Sequence, residues 1–243
     1  MAGKVQFSGS SATTSTGSSR LVRGLWWLML LSCVGVSVYS TQYFLSTPRD
    51  AHFSRYIIPL RLHIAGGMGA LLAGPWQFSE KLRARALNLH RWLGRFYLVE
   101  VVLGSIAGLA MATVSEEGMA THLGFGALAI LWFFTGLQAY RMARKGDILA
   151  HRNWMIRNFA LSLAAVMLRS YLPFMLLILH WSFRQTYITV AWLCWVPNLL
   201  VAEWLVRRGP PRAKPLTETI AASLPEIRAA DPSSADKPLC SEG

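Results

Sequence analysis

Six apolar stretches, each long enough to cross a bilayer, constrain this chain more than any other feature. They lie at about 24–45, 57–78, 89–113, 119–140, 153–179 and 186–206. A spanning helix needs roughly 20 mostly apolar residues. Hydrocarbon offers backbone polar groups no partners, so runs of this length fold as helices that satisfy themselves. The expected fold is therefore an all-α membrane protein, a six-transmembrane-helix bundle with spans two to five as its four-helix core. Residues 24–206 form the transmembrane domain, and 1–23 and 207–243 read as disordered tails. The first tail is rich in Ser, Thr and Gly and has no acid, and the second holds six of the eleven prolines. The first run, preceded by Arg20 and Arg23, reads as a retained signal-anchor helix; a cleaved signal peptide or an organellar transit segment shares several of its features.

Composition excludes several function classes. The chain is 53% hydrophobic and 15% charged, and soluble domains are about a quarter charged. A net charge of +12 would suit nucleic acid, but the bases sit in short connectors between apolar runs. That is the pattern of membrane loops, so no nucleic-acid partner is expected, and membrane lipid is. Cys33, Cys194 and Cys240 have neither metal-ligand nor redox spacing. No nucleotide-binding glycine loop, paired-carboxylate site or nucleophile motif is present, so no catalytic residue is assigned. Gly66-Gly67-Met68-Gly69 lies inside a span and cannot cradle a phosphate.

The connectors set an orientation. Lys81, Arg83, Arg85, Arg91 and Arg95 surround one connection, and Arg141, Arg144, Lys145, Arg152 and Arg157 another. The connection between spans three and four carries Glu116 and Glu117 and no base. The positive-inside rule then makes both basic connectors and both termini cytoplasmic. Arg49, Arg55 and Arg61 are a mild exception on the outer side, and most tryptophans fall at the inner interface.

Within this frame four histidines stand at the edges of four consecutive spans. His63 and His122 fall at the outer level, and His90 and His151 at the inner one. The levels are roughly 20 Å apart, by helix rise and bilayer thickness. An ionisable residue in a span is a functional-site candidate, and two histidines at each of two levels suit two haems. Helical offsets of 4, 7, 11, 14 and 18 define one face. From His90 they reach Gly94, Tyr97, Val101, Gly104 and Gly108; from His122, Gly126, Ala129, Phe133, Gly136 and Tyr140. The glycines leave room for a flat ring, or simply let helices approach closely. From His151 the face reads Met155, Asn158, Ser162, Ala165 and Arg169. Arg169 lies about 27 Å along from His151, at the outer level. Its guanidinium either pairs a haem propionate or snorkels to the outer headgroups. Glu100 and Glu203 do not match its depth, and His52 and His180 lie in outer connectors and are given no ligand role.

The layout resembles the cytochrome b561 class, six-helix proteins with two b-type haems. LHRWLG at 89–94 is similar to that class's third-helix histidine segment. The resemblance implies that His63 and His122 ligate the iron of one haem b, and His90 and His151 that of the other. It also implies a transmembrane oxidoreductase passing electrons between faces, with an anionic donor such as ascorbate or a quinol in the bilayer. A closer local similarity, through LHIAGGMGALLAGPWQF, LHRWLGRFYLV, HLGFGALAILWF and HRNWMIRNFALSLAAVMLR, is to the multi-pass membrane proteins of domain of unknown function 2306. That similarity implies no activity, and the sequence carries no clear ascorbate-binding motif to extend the likeness to the b561 class. A haem-free membrane protein with a structural, sensory or transport role remains the alternative.

Overall fold

The computed structural model describes residues 15–45, 54–115 and 117–209. His52, Glu116, Cys240 and the tail from residue 210 lie outside the described residues. The elements are α1 Ser15–Ser40, α2 Gln42–Leu45, α3 Ile57–Gln77, α4 Glu80–Arg85, α5 Leu87–Thr113, α6 Met119–Arg144, α7 Ile148–Ser162, α8 Ala164–Pro173, α9 Phe183–Leu193 and α10 Val196–Arg207. Among the described residues, six helical stretches are long and apolar enough to cross a membrane. Three of these are continuous runs with an internal break, α1 with α2, α7 with α8 and its following turn, and α9 with α10. The all-α membrane bundle read from the apolar runs is the fold observed.

The breaks have local causes. At the α7–α8 junction the Ser162 hydroxyl is shared between its own helix, through the Asn158 carbonyl at 3.2 Å, and side chains of other helices. Such back-bonding bends helices. Pro173 then removes an amide donor, and the chain widens into a π-type turn over Phe174–Ile178. In the last span Pro197 cannot donate, and the Asn198 amide nitrogen donates to the Cys194 carbonyl at 3.0 Å. The first helix starts at Ser15, inside the stretch expected to be disordered, and carries Arg20 and Arg23 within it.

The tightest packing is between α3 and α5. A Cβ on Gly66 would fall 2.6 Å from the Glu100 carbonyl oxygen and from Gly104 backbone atoms. With no apolar driving force between helices in lipid, such close approach is what holds them together. α6 packs on both α5 and α7, α1 covers α3, and α9 and α10 lie against α6 and α7. The core gathers Tyr97, Val101, Trp132, Met155, Phe159 and Leu161. Large apolar side chains such as Ile58, Trp92, Val99, Ile130 and Leu200 point outward, as a lipid-facing surface requires.

Candidate functional site

The two ends of the bundle are distinguished below as the basic end, with the connectors at 79–95 and 141–157, and the opposite end. At the opposite end His63, on the second turn of α3, places Nδ1 2.8 Å from the Gly104 carbonyl of α5. A carbonyl only accepts, so Nδ1 carries the proton and Nε2 keeps a free lone pair. The ring fits because Gly108 has no side chain: a Cβ there would lie 2.7 Å from His63 Nδ1. Gly104 and Gly108, on the face running from His90, therefore cradle the histidine of another helix.

His63 lines a cavity of about 340 Å³ together with Trp132, Ser162 and Arg169, and Glu117 is also on its wall. Most of the remaining lining is apolar. Arg169 is bonded within the bundle. Its Nη1 donates back to the Ala165 carbonyl at 3.1 Å, and Nη2 to the Ser40 hydroxyl of α1 at 3.0 Å. Among the described residues the ion pair given is Arg157 with Glu203, and no carboxylate pairs Arg169. A cation facing an apolar cavity with only neutral acceptors is half of an anion site.

His122 does not line this cavity. On α6 the buried positions Thr121, Trp132, Thr135 and Ala139 centre the inward face roughly a quarter turn from His122. Phe133 and Tyr140, expected on the ligand face, are accordingly 38% and 49% exposed. His122 itself is half-buried at the edge of that face.

The basic end repeats the first histidine's arrangement. His151 Nδ1 lies 2.8 Å from the Ala139 carbonyl of α6, so this ring too holds its proton on Nδ1 and leaves Nε2 free. His90, on the first turn of α5, lies at the same end of the bundle as His151 on the first turn of α7. The buried Nδ1 of His90 has no hydrogen-bond partner, and neither does the buried Nε2 of Gln77. Buried polar atoms are normally satisfied, and both orphans lie at the basic end, Gln77 as the last residue of α3 and His90 on the first turn of α5. Gln77 is a residue that sequence reasoning missed; a glutamine at a helix end carries no signal of its own. Its carboxamide oxygen sits 3.2 Å from where a Gly94 Cβ would be.

The glycines expected to leave room for a ring mostly do something else. Gly94, Gly104, Gly108 and Gly136 each meet a neighbouring side chain or helix, whereas Gly126 faces open space. His180, in a connector, has φ of 52° and is exposed. Cys33 and Cys194 are buried and unpaired. No group of three or more His, Cys, Asp and Glu is placed to hold a metal ion among the described residues, so any metal centre here has to bring its remaining ligands with it.

Fold and surface together define a multi-pass integral membrane protein. The chain belongs to the family described as predicted membrane protein (DUF2306), which matches residues 60–206, more than half of its length. No curated protein and no solved structure matches it.

Proposed function

We propose that this protein carries electrons across the bilayer through two b-type haems, one between His63 and His122 and one between His90 and His151. One observation carries the reading. His63 and His151 each fix Nδ1 on a carbonyl of the adjacent helix and keep Nε2 free. Axial imidazoles are held in this way, with the second ring nitrogen bonded so that tautomer and orientation are set. When bound, haem with two imidazole ligands supplies a one-electron centre with no open position for oxygen.

The chain's own residues would do the rest. Arg169 offers a propionate a bidentate donor, since no carboxylate among the described residues pairs with it. Gly126 leaves open space on α6, four residues from His122. The orphaned Gln77 amide is a donor near the basic-end pair. Arg83 and Arg91 there would draw an anionic donor such as ascorbate; a quinol would instead approach through lipid. Both termini and the basic end are assigned to the cytoplasm by charge bias.

The same two histidine bonds favour a second, structural reading, in which the rings only tie α3 to α5 and α7 to α6. The spectrum of the purified protein separates the two. The haem reading expects a Soret band and an alpha band sharpened by dithionite. Pyridine haemochrome should count two haems per chain. His63→Ala and His122→Ala should then lose the same haem, His90→Ala and His151→Ala the other, and His180→Ala neither. Arg169→Gln should lower the midpoint potential of the first haem only. Absence of haem from the unsubstituted protein, or full haem in all four histidine variants, leaves the structural reading.

A further inference from the structure

Glu100 stands at the middle of a span with no partner to neutralise it among the described residues. It is the middle residue of the 27-residue α5, which runs from Leu87 to Thr113 with thirteen residues on either side of it. That is roughly 20 Å of helix on either side. Its side chain lies over Gly69 of α3: a Cβ there would come within 2.5 Å of Cγ and 2.9 Å of Oε2. The carboxyl is half-exposed. Phe96 and Leu103, a helical turn to either side on the same face, are 48% and 46% exposed. It therefore opens onto the outside of the bundle, where the solvent is hydrocarbon.

No hydrogen bond or ion pair is given to this carboxyl among the described residues. The charged and titratable groups of every element packed against α5 lie elsewhere. On α3 these are Arg61 and His63, and the latter is committed to the Gly104 carbonyl. α6 has none between His122 and Tyr140. α4 places Glu80, Lys81, Arg83 and Arg85 at the basic end. On α5 itself the nearest are Arg95, which lies over Trp92 at 5.1 Å, and Tyr97, which is bonded to Asn158. Glu203, the other carboxylate within a span, differs in this respect: Arg157 holds it at 2.8 and 3.1 Å.

We propose that Glu100 is a proton-binding site open to the hydrocarbon. An unpaired carboxylate in a low-dielectric medium neutralises itself by taking up a proton, and the glycine beneath it makes room for the side chain. The chemistry it offers is proton exchange with hydrogen-bonding groups dissolved in the lipid. This inference stands independently of haem.

A hydrophobic carbodiimide reports this state directly. The acid adds across one C=N bond, its proton going to nitrogen and its oxygen to the central carbon. Migration of the acyl group from oxygen to nitrogen then fixes the adduct. The whole reagent is retained, nothing leaves and nothing is oxidised. The full chain in lipid nanodiscs is treated with dicyclohexylcarbodiimide and mapped by peptide mass spectrometry. One adduct on Glu100 and none on Glu203 is expected, with no Glu100 adduct from a charged, water-soluble carbodiimide. Glu100→Gln should abolish the adduct; the peptide map of the unsubstituted chain decides the matter even if that variant does not fold. An unmodified Glu100, equal labelling by the water-soluble reagent, or Glu203 labelled as heavily as Glu100 would overturn the proposal.

Discussion

Tyr97 shows what a single buried side chain does in this bundle. It is fully buried, and its hydroxyl donates to Asn158 Oδ1 at 2.6 Å and lies 3.0 Å from Ser162 Oγ. Asn158 Nδ2 donates in turn to the Trp132 carbonyl and the Thr135 hydroxyl, and Trp132 Nε1 donates to Ser162. Three helices, α5, α6 and α7, thus share one satisfied polar network. Tyr97→Phe would leave the Asn158 oxygen without its donor where water cannot replace it, at a cost of about 1–3 kcal/mol. A lower Tm in detergent, with the helical circular dichroism unchanged at low temperature, is the expected result; an unchanged Tm would mean that the network carries no stability. The residues were legible in part. Offsets from His90 and His151 select Tyr97, Asn158 and Ser162 for the inward face, because helical periodicity depends only on the chain itself. That they meet one another was not legible, since spacing says nothing about how one helix is rotated against the next. The same gap separated Arg157, read only as one of the bases around a connector, from Glu203, its partner across α7 and α10. It also hid the quarter-turn offset of His122.

At the scale of the element, the spans were legible because length and hydropathy are enough to define them. The helices end within a few residues of the apolar runs, except at basic ends, where α1 begins back at Ser15 and α6 and α7 extend to Arg144 and Ile148. At α7 the helix begins at Ile148, where the Asp147 side chain caps the Ala150 amide. The role of the glycines was not legible. Room for a ring and close helix approach look alike in one dimension, and the partner helix decides between them. Gly66 and Gly67 separate the cases in adjacent residues. A Cβ at Gly66 would meet backbone atoms of Glu100 and Gly104 that cannot swing aside, while one at Gly67 would meet nothing within 4 Å. Gly66→Ala should part α3 from α5 and cost about 1–3 kcal/mol, the usual penalty of overpacking. Gly67→Ala should leave the thermal midpoint where it is. Equal midpoints for the two variants would mean that the α3–α5 contact is looser than described.

For the whole molecule, the decisive property is which way the bundle faces. Every assignment of donor and acceptor depends on it, because His90 and His151 sit at one end and His63 and Arg169 at the other. The proposed orientation has the basic connectors in the cytoplasm, where the membrane potential and anionic lipid hold Lys and Arg back from translocation. The argument rests on the contrast between Arg141, Arg144 and Lys145 on one side and Glu117 on the other. Single cysteines make the test direct. Cys33 and Cys194 are buried and should not react, and Cys240 is first replaced by serine. In intact cells a cysteine in place of Glu117 should react with a membrane-impermeant maleimide, and one in place of Lys145 should react only after permeabilisation. The reverse pattern would turn the bundle over. The basic-end histidines would then face outward, and an anionic donor would meet them from outside the cell or organelle rather than from the cytoplasm.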